Sequence, residues 1–352
     1  MNQLKSKLRK VLLALVSLAL SLILVEVVLR LSGQFRSTAV HTVSQREYES
    51  IPGMWAPSQD FISNEKPSLR HHVVTNALGL RGPETTLVPD KPRVLCIGDS
   101  FTYGDFVDND ESLPAQIQAQ LGEQFEVLNG GVKGTTIVDQ QVYLPRLLVL
   151  QPDVVLLTYC ENDLSDLYTS PPMHEQLEQN RKLKSGRLGA FFRFARDTCL
   201  FNLVIKARSA LRAPRAVDED STMPLRDPLA KLPEYVEKVD ELQKLLNERE
   251  IDLLFLAFPS HRALLGKPGS TIQPVLAALR EIGIDGIDPS PALLASGLSM
   301  QELYLIPNDP HPGPEAYRIT ASVVVDHLRR LLQTPTTNSG VVAPSGGHSS
   351  PN

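Results

Sequence analysis

Apolar residues recur along this chain in three rhythms, and each rhythm predicts a different kind of element. From Val11 to Leu29 almost every residue is apolar. At about 1.5 Å of rise per residue, about 20 such residues cross a hydrocarbon core of about 30 Å. Glu26 interrupts the run near its outer end, and Arg30 stands four residues later on the same helix face, where it can neutralise the carboxylate. The second rhythm is a set of short, mostly apolar runs: Arg93 to Ile97, Phe125 to Leu128, Asp153 to Thr158, Ile251 to Ala257 and, more weakly, Ile284 to Ile287. Runs this short without alternation predict strands buried on both faces. The third is helical spacing, in Leu232, Val236, Val239, Leu242 and Leu246 and again in Tyr317, Ala321, Val324, Leu328 and Leu331. Strands alternating with amphipathic helices imply right-handed crossovers and a sheet covered on both sides. The fold class expected is therefore α/β, a three-layer doubly wound parallel sheet preceded by an N-terminal transmembrane helix.

Three stretches depart from these rhythms. Between residues 33 and 91, Pro52, Pro57, Pro67, Pro83 and Pro89 break any long element, so this part reads as an irregular collar. Residues 164–230 interrupt the strand–helix alternation with a basic and aromatic stretch ahead of the apolar patch Leu200 to Ile205. An insertion that long carries helices of its own and lies over the edge or mouth of the sheet, as a lid or as plain structure. Residues 334–352 are Pro, Ser, Thr and Gly with almost no large apolar side chain, a composition that predicts disorder. The organisation expected is an anchor in residues 1–32, a collar in 33–91, the doubly wound α/β domain with its insertion in 92–333 and a tail in 334–352.

Charge sharpens the first element and removes one class of partner. Lys5, Lys7, Arg9 and Lys10 precede the apolar run, which predicts a cytoplasmic N-terminus and an exported body. A cleaved signal peptide has the same basic start. This run is longer than a usual signal core, however, and Leu31 to Phe35 has no small-x-small cleavage site. The favoured reading is a single-pass anchor in the inner (cytoplasmic) membrane with the body on the periplasmic or extracellular side. With 35 basic against 40 acidic side chains, the formal charge of the 352 residues is −5, so there is no general excess of cations for a phosphate backbone and nucleic acid is not an expected partner. Three cysteines make neither a disulfide framework nor a zinc site. Whether Cys96 and Cys160 bond is left open, and no metal or other cofactor is expected. His41, His71, His72 and His174 lack metal-ligand spacing and are assigned to surface or collar roles.

Candidate chemistry lies in the loops that leave the strand carboxyl ends, because in an open parallel sheet those loops line the ligand crevice. They read Gly98-Asp99-Ser100, then Asn129-Gly130-Gly131-Val132-Lys133-Gly134, then Cys160-Glu161-Asn162-Asp163, with Asn308-Asp309-Pro310-His311 before the last helix. Each alone has an ordinary explanation: a helix cap, a glycine turn, an Asx turn, a surface histidine. Together they hold the parts for nucleophilic catalysis. Ser100 is a hydroxyl, His311 a base and Asp309 an acceptor that fixes the imidazole tautomer. The Ser100 N–H, the Gly134 N–H and the Asn162 amide are suitable donors to an oxyanion. Cys160 is a poor alternative nucleophile, since Tyr159 and Glu161 do nothing to lower a thiol pKa.

In these four blocks, in this order, the sequence resembles the SGNH/GDSL hydrolase superfamily. The resemblance implies a flavodoxin-like sheet and ester hydrolysis or acyl transfer through Ser100, His311 and Asp309, with Ser100, Gly134 and Asn162 forming the oxyanion hole. The basic N-terminal helix followed by Thr75-Asn76-Ala77-Leu78-Gly79-Leu80-Arg81-Gly82 is similar to the membrane-anchored bacterial branch. Two positions depart from the pattern. Cys160 stands where the asparagine block usually begins with Gly, and Asn308 stands where the orienting Asp is usual, with Asp309 one place later. Asp309 is the expected orienter; failing that, Ser100 and His311 act as a dyad. The function this implies is a membrane-anchored serine esterase acting on an ester, on an envelope glycan or a lipid. The alternatives are an O-acetyltransferase on an envelope polysaccharide and a catalytically silent polymer-binding member.

Overall fold

The computed structural model describes residues 2–32, 42–43, 45–63, 65–66, 68–167, 227 and 229–333, with scattered positions between 172 and 207. The tail 334–352 and most of the insertion 164–230, read as a lid or as plain structure, lie outside the described residues. The short apolar runs form β3 (Arg93–Ile97), β4 (Glu126–Asn129), β5 (Val154–Tyr159), β6 (Asp252–Ala257) and β7 (Gly286–Ile287). These make one five-stranded sheet in the order β4-β3-β5-β6-β7, with every pairing parallel. All five residues of β3 and all six of β5 are buried, as two-sided coverage requires.

Successive strand residues point to opposite faces, so the sheet has two cores. Leu95, Ile97, Val155, Leu157 and Phe255 pack under α4 (Ile137–Leu147), α6 (Leu232–Asn247) and α7 (Ile272–Glu281). Val94, Cys96, Val154, Leu156 and Leu256 pack under α3 (Leu113–Leu121) and α8 (Pro314–Gln333). Of the α8 spacing, Tyr317, Ala321, Val324 and Leu328 are buried, while Leu331 at the frayed end is exposed. The N-terminal run forms α1 (Asn2–Ser32), of which Arg9–Ser32 is long and apolar enough to cross a membrane. Glu26 accepts from Arg30 Nε at 2.7 Å and from the backbone N–H groups of Cys199 and Leu200 at 3.0 and 2.9 Å.

The collar differs from the irregular stretch expected. Its prolines end long elements, but between them β1 (Asp60–Ser63) and β2 (His71–Val74) pair as an antiparallel ribbon. Trp55, Val73 and Leu80 are buried, and the Trp55 indole N–H donates to the Gly131 carbonyl at 3.1 Å. His71, given a surface or collar role, is buried within the collar: its Nδ1 lies 3.0 Å from the Leu69 carbonyl. The three cysteines are free. The register opposes Cys96 to Leu156, which leaves Cys160 four positions further on, just past the end of β5, about 13 Å at strand rise and outside disulfide reach.

Candidate active site

The strand order reverses at β3, whose neighbours β4 and β5 follow it in the chain on opposite sides. In open parallel sheets this reversal is where the loops at the carboxyl ends form a ligand crevice. Ser100 begins there as the first residue of α2 (Ser100–Tyr103). Asp99 caps that helix, its carboxylate accepting from the Phe101 N–H at 2.9 Å. The turn needs glycine at Gly98, where φ is +152° and a Cβ would come within 2.2 Å of Thr102 Oγ1. The glycine block presses on the same helix: a Cβ on Gly131 would meet the Tyr103 backbone N at 2.4 Å. The Val132 N–H donates to the Gly98 carbonyl at 3.0 Å, which ties the two loops together.

His311 reaches this point from the other end of the chain. The loop before α8 is held by the Leu305 N–H donating to the His311 carbonyl at 3.0 Å and the Gly313 N–H donating to the Leu303 carbonyl at 2.8 Å. The ring then lies with Nε2 2.8 Å from Ser100 Oγ and Nδ1 in hydrogen-bond contact with Asp309 Oδ1. Asp309, not the exposed Asn308, bears on the imidazole; it is 5% exposed, and the same Oδ1 accepts from the His311 backbone N–H at 2.9 Å. Burial works to raise the Asp309 pKa, but hydrogen bonds from His311 and Lys66 outweigh it and hold the carboxyl well below the usual carboxylate range. With Nδ1–H directed at Asp309, Nε2 is left as the acceptor for the Ser100 proton.

The third loop stands beside the serine. One oxygen, Asp99 Oδ2, accepts from Asn162 Nδ2 at 3.3 Å and from the Cys160 thiol at 3.2 Å, and it lies 3.3 Å from Ser100 Oγ, whose single proton goes to the closer His311 Nε2. Asn162, the first residue of α5 (Asn162–Asp166), is exposed, and its Nδ2 also lies 3.4 Å from Asp166 Oδ2. The Cys160 sulfur lies 2.7 Å from Asn162 Oδ1, so this side chain, standing where glycine is usual, packs against the amide while its one proton is given to Asp99. Burial first, and then the nearby Asp99 charge, push the Cys160 thiol well up, which keeps it neutral and unreactive. The same two causes raise the Asp163 carboxyl well above its ordinary range. Among the described residues Asp99, Cys160 and Asp163 are the group with cation-ligand atoms within 4.8 Å of one another. Gly134 is exposed on its loop with φ +71°.

Sequence reasoning missed several residues around this constellation. Lys66 pairs with Asp309, and the Phe106 ring, at φ +66°, stands 5.5 Å from the His311 ring. Arg81, 2% exposed, donates to the carbonyls of Tyr103 at 2.9 Å, Val107 at 2.7 Å and Gly104, so it fixes the loop that presents Phe106. The Thr75 to Gly82 motif was a visible signal for Arg81; Lys66 has none.

No curated protein matches the chain. Among solved structures, a lipolytic protein of the G-D-S-L family from Desulfitobacterium hafniense DCB-2 is similar at 15% identity, over 67% of this chain and 99% of that one, with a TM-score of 0.38. A carbohydrate acetylesterase family member from Sinorhizobium meliloti is similar at 13% identity, over 69% and 100%, with a TM-score of 0.40. The acetylxylan esterase Axe2 from Geobacillus stearothermophilus is similar at 13% identity, over 67% and 94%, with a TM-score of 0.41. The model of the GDSL-like lipase/acylhydrolase family matches residues 96–319, which take in the loops of Ser100, Asn162 and His311 and most of the sheet. This chain is thus a member of the GDSL-like lipase/acylhydrolase family, a family of ester-bond hydrolases.

Proposed function

We propose that the protein is a membrane-anchored serine esterase whose nucleophile is Ser100, whose base is His311 and whose orienting acid is Asp309. The observation that carries this reading is the line of contacts from Ser100 Oγ through the two nitrogens of His311 to a buried carboxylate. Nε2 takes the hydroxyl proton as Oγ forms a bond to the ester carbonyl carbon. The carbonyl oxygen becomes an oxyanion facing the N–H of Ser100, the N–H of Gly134 and the Asn162 amide. Ser100 is the first residue of its helix, so its N–H has no intrahelical acceptor and is free for this use. Each such donor is worth about 3–4 kcal/mol of barrier. As the intermediate collapses, the C–O bond to the alcohol breaks and the leaving oxygen takes the proton from Nε2. Water then attacks the acyl-Ser100 carbonyl, giving its proton to Nε2, and the acid departs as Oγ recovers that proton. The basic residues ahead of the Arg9–Ser32 span support a body exposed outside the cytosol, within reach of an envelope glycan or lipid ester.

The test uses the full-length chain in detergent and a fluorophosphonate probe, which reacts only with an activated serine. Covalent labelling is expected and should vanish in Ser100→Ala and His311→Ala. Folded wild-type protein that takes up no probe would instead indicate a silent, polymer-binding member.

A further inference from the structure

The two oxygens of Asp309 are used by different parts of the chain. Oδ1 serves the His311 ring and backbone, both within two residues of it. Oδ2 pairs with the Lys66 ammonium, which comes from the turn between β1 and β2 in the collar, 243 positions away in sequence. Lys66 Nζ also lies 5.0 Å from the centroid of the Phe106 ring, and that ring stands edge-on to the His311 imidazole at 5.5 Å and 71°. Lys66, Asp309, His311 and Phe106 therefore form a closed circuit of contacts around the imidazole.

A carboxylate only two residues before its histidine depends on a tight local turn for its position, and that turn satisfies one oxygen. The other would be a buried anionic acceptor without a donor, free to draw the group out of line by rotation about its broad terminal torsion. We propose that Lys66 is a positioning residue for Asp309, so that the collar, and not the hydrolase domain alone, completes the reacting geometry. This inference rests on the reading of Ser100, His311 and Asp309 as the catalytic set. Lys66 itself touches none of the reacting atoms. Its contribution is to hold the carboxylate ionised and aligned, and the ring through Phe106.

Turnover of p-nitrophenyl acetate by the full-length chain separates this from a surface ion pair. In Lys66→Met, kcat is expected to fall about 10- to 100-fold with KM nearly unchanged, as slight misplacement of reacting groups produces. Lys66→Arg restores a cation at the same place and should recover most of the loss. Lys244→Met, which removes a cation paired with Asp240 on the exposed face of α6, serves as the control and leaves kcat unchanged. A Met variant with wild-type kcat overturns the inference, and so does a loss that Arg fails to restore. Turnover that survives Ser100→Ala overturns the catalytic reading itself, a result the Lys66 variants alone do not produce.

Discussion

Asp309 is the acceptor that meets both the ring and the backbone N–H of His311. Asp309→Asn keeps the shape but offers an amide where His311 needs an acceptor, favouring the wrong tautomer; in a Ser-His-Asp arrangement such a change costs about 10⁴-fold in kcat. The expected loss here is of that order, read from steady-state ester hydrolysis. The same carboxyl makes a pH prediction. Its folded pKa lies below the unfolded value of about 3.9, so its stabilisation is complete above that value and disappears as the pH falls through the folded one. Urea unfolding at a series of pH values should therefore show the gap between wild type and Asp309→Asn narrowing below about pH 4. A gap that stays constant to pH 2 would contradict the Lys66 and His311 hydrogen bonds as the cause. At this scale the sequence named Ser100, His311 and Asp309 but not Lys66, Phe106 or Arg81. Ser100 follows a strand end and Asp309 and His311 stand in the loop before the last helix, places where function is sought; a lysine in a polar collar looks like any solvated cation.

At the scale of elements, close approach rather than side-chain chemistry sets the geometry. The loop after β4 lies against α2 so tightly that Gly131 has no room for a Cβ beside the Tyr103 backbone. Gly131→Ala must push the two apart, with a cost in the usual range for overpacking of about 1–3 kcal/mol. Thermal unfolding is expected to show a lowered Tm, together with slower fluorophosphonate labelling because Ser100 moves with its helix. A stable variant of unchanged reactivity would show that the loop is free to give. Strands and long helices were legible because burial leaves a local period: β3 coincides with the apolar run Arg93 to Ile97, and β5 and β6 begin one residue after the runs that predicted them. The β1–β2 ribbon was not legible. Its two strands are four residues each, among prolines, and are stabilised by contacts beyond themselves, including the His72 N–H donating to the Asp108 carboxylate and Asn109 Oδ1 accepting from the Val74 N–H.

For the molecule as a whole, the collar lies in the chain between the apolar span and the hydrolase sheet, meets the loop after β4 through Trp55 and clamps the Phe106 loop through Arg81. The anchor reading predicts that full-length protein sediments with membranes and resists carbonate extraction, whereas a chain lacking residues 1–32 does not sediment. Equal recovery of the two in the soluble fraction would refute it. Burial patterns repeat within a few residues and the cost of placing polar groups in lipid or in a core is local, so the sequence by itself determined the membrane-length helix, the α/β class, the strands and the loops in which Ser100, Asn162 and His311 stand. The tertiary structure decided what depends on register and on chain segments meeting far from home. It put the carboxylate of Asp309 rather than Asn308 on the ring, kept Cys96 and Cys160 apart, filled the usual glycine place with a thiol that donates to Asp99 and packs against Asn162, and brought a collar lysine onto the buried acid. Those contacts join residues up to 243 positions apart, and no periodicity along the chain records them.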